Sequence, residues 1–153
     1  MKLLDREAYS YRPGNSVPHF DDFGPVVFMD GDCALCTGAA RIIAKLDDSG
    51  EFRICPVQSK LGQAILRHYG LDPMSPDSWL YLVEGRAYTS LDAVIRAGQR
   101  FGGAGRWLGI FAILPRPVQD WLYRRIARNR YSIFGRAKMC AIPDAALARR
   151  LLS

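Results

Sequence analysis

The sequence contains no apolar run long enough to cross a membrane. The longest, Trp107–Leu114, is eight residues with Gly109 counted, and Pro115 ends it. A spanning helix needs about 20. The opening stretch, MKLLDREAYSYRPGNSVPHF, holds no apolar core of signal-peptide length and carries acids near its start. These absences predict a cytoplasmic protein without a transmembrane segment. Cysteine is scarce as well: four in 153 residues are too few to build a disulfide scaffold. In a reducing compartment a close cysteine pair is redox-active or metal-binding rather than a permanent staple. Acidic residues are nearly missing from the last third. Residues 100–153 hold 11 of the 21 Lys and Arg but 2 of the 15 Asp and Glu, net +9 against −3 for residues 1–99.

What is present describes an ordinary globular domain. A length of 153 residues favours one domain, able to bury roughly two-thirds of the surface its unfolded chain exposes. An apolar share of 49% with 24% charged argues against wholesale disorder, collagen-like sequence and coiled coil. Residues 1–24 are rich in turn formers and read as an N-terminal arm, packed across the domain through Tyr9, Tyr11 and Phe20. Residues 25–153 read as the domain itself, with a basic helical extension from about residue 104.

The run Pro25–Met29 suits a buried strand and ends in the turn residues Asp30-Gly31-Asp32. From Cys33 to about Asp47 the pattern turns helical, with Cys36, Ala39, Ala40, Ile43 and Leu46 on one face. Glu51–Val57 reads as a second strand, and strand–helix–strand at this spacing predicts a parallel pair. Ser59 caps a helix to about Tyr69. Ser78–Val83 and Arg86–Thr89 flank Glu84-Gly85 as a hairpin, and a helix covers about Leu91–Arg100. The predicted fold is α/β, in the order β-α-β-α-β-β-α, with helices on a mixed sheet. The remainder is helical: Trp107–Leu114, expected as a buried core helix with an interface as the alternative; Pro117 to about Arg128; a turn at Phe134-Gly135; and a short helix near Asp144–Leu152.

Cys33-Ala34-Leu35-Cys36 is the sharpest motif. The first turn of a helix brings residues i and i+3 within disulfide range. Its positive N-terminal end favours a thiolate there, and the thiolate is the attacking species in disulfide exchange. This placement makes Cys33 the exposed nucleophile and Cys36 the more buried resolving thiol. Two other classes compete. A binding module would use Arg116–Lys138, with Trp121, Tyr123 and Tyr131 interleaved, for nucleic acid or an anionic membrane surface. A structural zinc site would need Cys33, Cys36, Cys55 and Cys140, yet neither these cysteines nor His19 and His68 form a second C-x-x-C or an H-x₃₋₅-H.

Asp30-Gly31-Asp32-Cys33-Ala34-Leu35-Cys36 after an apolar strand resembles the start of the DCC family of thiol–disulfide oxidoreductases. Arg128-Asn129-Arg130-Tyr131-Ser132-Ile133-Phe134-Gly135-Arg136 resembles that family's C-terminal N-R-Y-x-x-F-G signature. Cys55-Pro56-Val57-Gln58-Ser59 and Ser90-Leu91-Asp92-Ala93 match in place and order, so the likeness covers roughly residues 25–143. The resemblance implies a thioredoxin-like fold and disulfide exchange with a protein or small-molecule thiol or disulfide. It implies a separate recycling reductant, no bound cofactor and no specific nucleic acid. It makes Asp30, Cys33 and Cys36 the signature residues. Asp30 is then placed either to take a proton from Cys36 or to bind the turn amides. Asp32 is a candidate helix cap, and Arg130 and Tyr131 either lie near Asp30 and fix the loop or leave the arginine on a solvated helix face. Pro76 is the nearest candidate for the cis-proline that faces the cysteine pair in thioredoxins.

Overall fold

The apolar run after Pro25 becomes the central strand β1 (Val26–Met29) of a computed structural model that describes residues 6–75, 79–141 and 144–152. All four β1 residues are fully buried. A strand covered on both faces needs no polar alternation. Its side chains still divide with period two: Val26 and Phe28 enter one core, Val27 and Met29 the other.

Helix α1 (Ala34–Leu46) carries the chain to β2 (Arg53–Pro56), which runs parallel to β1 with Met29 opposite Pro56. Helix α2 (Lys60–His68) starts at Ser59, whose hydroxyl accepts the Gly62 amide at 3.0 Å. Strands β3 (Leu80–Val83) and β4 (Arg86–Thr89) form the expected hairpin, β3 antiparallel to β1. Its turn residues Glu84 and Gly85 both have positive φ, the backbone that matches strand twist. The sheet order is β2-β1-β3-β4. Then come α3 (Ser90–Arg100), a 3₁₀ segment (Gly103–Ile113), α4 (Arg116–Phe134), a short 3₁₀ turn (Met139–Ala141) and α5 (Ala145–Ala148). The order and the mixed sheet agree with the thioredoxin-like α/β expectation.

One core lies between the sheet, α2 and the N-terminal arm. Tyr11 and Val17 are buried in it, and the Phe20 ring meets Phe28 edge-on at 6.2 Å. The other holds α1, α3 and the C-terminal tail, including Met139 and Leu147. That tail also covers the free edge of β2: the Ile54 amide donates to the Arg150 carbonyl, and the Leu152 amide to the Ile54 carbonyl, each at 2.8 Å. Covering an edge strand removes a site for unwanted pairing.

Three expectations are corrected. The buried face of α1 is Thr37, Ala40, Ile43 and Ala44, while Leu46 is 48% exposed. The face is turned because Thr37 is recruited inward by the C-terminal segment, to which its hydroxyl donates. Trp107–Leu114 is not a buried core helix; Trp107 is 72% and Ile113 81% exposed, since the second core is already filled. Helix α4 runs on to Phe134 rather than ending near Arg128, because Arg130 is held inside by a carboxylate. Pro76 lies outside the described residues.

Candidate functional site

The site is assembled where β1 ends. Asp30, the next residue, is only 6% exposed. Its Oδ1 accepts the Asp32 amide at 2.9 Å and the Gln58 side-chain amide at 2.7 Å. Its Oδ2 accepts the Arg130 guanidinium at 2.5 Å and the Tyr131 hydroxyl. Gln58 returns the contact to the loop, because its Oε1 accepts the Gly31 amide at 2.9 Å. A Cβ on Gly31 would stand 3.1 Å from Pro56 and 3.2 Å from Gln58 Oε1, so glycine lets the turn lie close against β2.

Burial raises the Asp30 carboxyl, but its bonds to Tyr131, the Asp32 amide and Gln58, with the Arg130 charge, outweigh that and hold it below the usual range. Burial likewise raises Tyr131, and its bond to the Asp30 carboxylate adds to that. With four donors on two oxygens, Asp30 is a saturated acceptor. It acts as an anchor for the loop and for Arg130.

Cys33 occupies the N-cap position of α1 and makes no side-chain cap. Asp32, the expected cap, stands one residue earlier. The two thiols lie close enough for Cys33 to act on the ionisation of Cys36. Burial pushes the Cys36 thiol up to about 12, and the neighbouring Cys33 adds to it; Arg130 pulls the other way, and Asp30 raises it slightly.

The expected exposures are reversed. Cys33 is fully buried and Cys36 only partly so. The cause is residues 135–139, which lie along the loop like an added strand. The Ala34 amide donates to the Gly135 carbonyl at 3.2 Å, the Ala137 amide to the Asp32 carbonyl at 3.1 Å, and the Met139 amide to the Gly31 carbonyl at 2.7 Å. Cys33 and Arg136 form an antiparallel bridge, and the Thr37 hydroxyl donates to the Ala137 carbonyl at 3.2 Å. The segment leaves α4 through Gly135, at φ +78° and ψ −171°, a region in essence open only to glycine.

The structure thus brings together Asp30, Asp32, Cys33, Cys36, Arg130 and Tyr131. It leaves Cys55 in the opposite core, its sulfur 3.2 Å from the Ser59 hydroxyl, and Cys140 exposed. Among the described residues, no three His, Cys, Asp or Glu side chains are grouped to hold a metal ion, so the four-cysteine zinc set is not assembled. Gln58, Gly135 and Arg136 fell within family-like stretches with no such role assigned, and Thr37 and Ala137–Met139 were not singled out by sequence. Gln58 was within reach of the argument: Met29 pairs with Pro56, and two residues further on in parallel register Gly31 meets Gln58.

A family model described as DCC1-like thiol-disulfide oxidoreductase matches residues 27–136. The uncharacterized protein YuxK of Bacillus subtilis is 35% identical over 127 residues, covering 83% of this chain and 93% of its own. A chloroplastic DCC family protein of Arabidopsis thaliana is 29% identical over 142 residues, covering 92% of this chain and 83% of its own. No solved structure matches. Among the described residues, no helix is long and apolar enough to cross a membrane.

Proposed function

Because the chain belongs to the DCC1-like thiol-disulfide oxidoreductase family, we propose that it exchanges disulfides through Cys33 and Cys36, with Cys33 attacking and Cys36 resolving. The observation that carries this reading is the close pair of thiols at the start of α1. A Cys36 thiol near 12 stays protonated at neutral pH, which leaves the first attack to Cys33.

The Cys33 thiolate attacks one sulfur of a substrate disulfide. The substrate S–S bond breaks, its leaving sulfur takes a proton from solvent, and substrate remains on Cys33 as a mixed disulfide. Cys36 then gives its proton to solvent, and its sulfur attacks Cys33 Sγ. The Cys33–Cys36 bond closes and the second substrate sulfur leaves as a thiol. Two electrons pass from the pair to the substrate, and an external dithiol reductant returns them. Arg130 faces the charge that forms on Cys36. Asp30, its acceptor sites filled, is a positioning residue that fixes Arg130 and the turn, and Asp32 and Tyr131 complete that support. For substrate to reach Cys33, the strap Gly135–Met139 parts from the loop. The substrate is a thiol or disulfide of a protein or a small molecule.

Trapping tests the roles. With oxidised glutathione, and with the exposed Cys140 replaced by Ser throughout, Cys36→Ser is expected to retain one glutathione on Cys33, while the chain with both Cys33 and Cys36 closes its own disulfide and retains none. If Cys33→Ser instead holds glutathione on Cys36, the roles are reversed.

A further inference from the structure

The 3₁₀ segment Gly103–Ile113 presents an apolar ridge that the fold leaves uncovered. A 3₁₀ helix has three residues per turn, so side chains at i and i+3 eclipse. Trp107, Ile110 and Ile113 therefore form one row, and they are 72%, 55% and 81% exposed. Eleven residues is long for such a helix, since runs beyond three or four are uncommon. Helix α4 follows after two residues and carries a second outward row. Val118 is 43% and Trp121 61% exposed; Arg125 and Arg128, at four and seven residues from Trp121, share that face and are exposed.

Charge decides what such a surface suits. From residue 100 to 136 the sequence holds eight arginines and a single acid, Asp120. Arg130 is committed to Asp30, but Arg106, Arg116, Arg124, Arg125, Arg128 and Arg136 are exposed. A second copy of the same surface would bring like charges together. A nucleic acid would satisfy the arginines and leave Ile110 and Ile113 in water. An anionic bilayer surface satisfies both: headgroups meet the arginines, the aliphatic row enters the acyl boundary, and tryptophan favours the depth between them. We propose that the Trp107–Ile110–Ile113 ridge, with the Trp121 face of α4, docks this protein on anionic lipid. This goes beyond disulfide exchange and does not depend on it.

The test is sedimentation of the full chain with vesicles of phosphatidylcholine, with and without phosphatidylglycerol. Binding is expected only to the anionic vesicles, weaker as salt is raised, with a blue shift of tryptophan emission. Ile110→Asp/Ile113→Asp is expected to weaken partition about tenfold or more, with far-UV circular dichroism and disulfide exchange unchanged, because both side chains are exposed. Absent binding to anionic vesicles overturns the proposal, as does undiminished binding by the double variant. A dimer in sedimentation velocity that this variant dissolves also overturns it, by making a second copy the occupant. Salt-dependent binding of a single-stranded oligonucleotide without vesicle binding would assign the arginines to nucleic acid instead.

Discussion

Replacing Asp30 by Asn removes the charge on which the site is anchored. The Asp30 and Arg130 side chains are 6% and 10% exposed, so the guanidinium would be left buried with its counter-charge gone. Breaking one partner of a buried pair costs about 3–5 kcal/mol, a large share of a typical stability of about 5–15 kcal/mol. At roughly 2–4 °C per kcal/mol for a domain of this size, Tm should fall by about 6–20 °C. Arg130→Met strands the carboxylate in the same way, although Tyr131, Gln58 and the Asp32 amide still bind it. In Asp30→Asn/Arg130→Met neither charge is stranded. The double variant should therefore lose less than the two single losses together, by a coupling of roughly 1–3 kcal/mol. Denaturant unfolding of all four proteins measures this cycle. An Asp30→Asn loss below about 1 kcal/mol, or additive losses, would refute the reasoning.

Other consequences follow from the same contacts. Closure of the Cys33–Cys36 disulfide onto a preformed mixed disulfide should accelerate with pH through neutrality and level off only above the ordinary thiol value of about 8.5, because burial raises Cys36; stopped-flow quenching reads this, and a plateau near pH 7 would contradict it. Gly135→Ala forces an L side chain into glycine backbone at a cost of about 1–3 kcal/mol, so the strap should loosen and alkylation of Cys33 should speed up, followed by mass spectrometry; unchanged reactivity would count against the strap as the cover. Arg150→Ala removes the partner of Asp47, bound at 3.0 Å and itself 2% exposed. It should cost roughly 3 kcal/mol and speed hydrogen exchange at the Ile54 amide, which the tail protects. Asp30 and Asp47 both lie below the usual carboxyl range when folded. Their stabilisation is present above an unfolded value of about 3.9 and is lost as pH falls through their folded values. Acid unfolding should therefore begin below about pH 4, and Asp30→Asn should flatten that dependence.

The elements legible in the sequence were those with strong local signals. Pro25–Met29, the Ser59 cap and the turns at Glu84-Gly85 and Phe134-Gly135 all lie where turn chemistry and apolar pattern put them. The turn carboxylate and the cysteine pair were readable for the same reason. What escaped was long-range. No local pattern places residues 135–139 across Gly31–Cys33, so the burial of Cys33 could not be seen. The likeness of the two signatures to one family pattern suggests Arg130 beside Asp30 but leaves a solvated helix face equally open; Arg130 is inside because a carboxylate 100 residues earlier neutralises it. The 3₁₀ segment failed in the opposite way, since its hydrophobicity suggested core while the core was filled by the arm and the C-terminal tail.

The most direct test of the central claim is redox equilibration of the metal-free protein in glutathione buffers, with free thiols counted at each ratio and Cys33→Ser and Cys36→Ser as controls. The account expects one reversible two-electron transition in the unaltered chain, loss of two thiols assigned to Cys33 and Cys36, and no such transition in either variant. A pair that stays reduced across the whole range, or an unchanged transition in both variants, would contradict it.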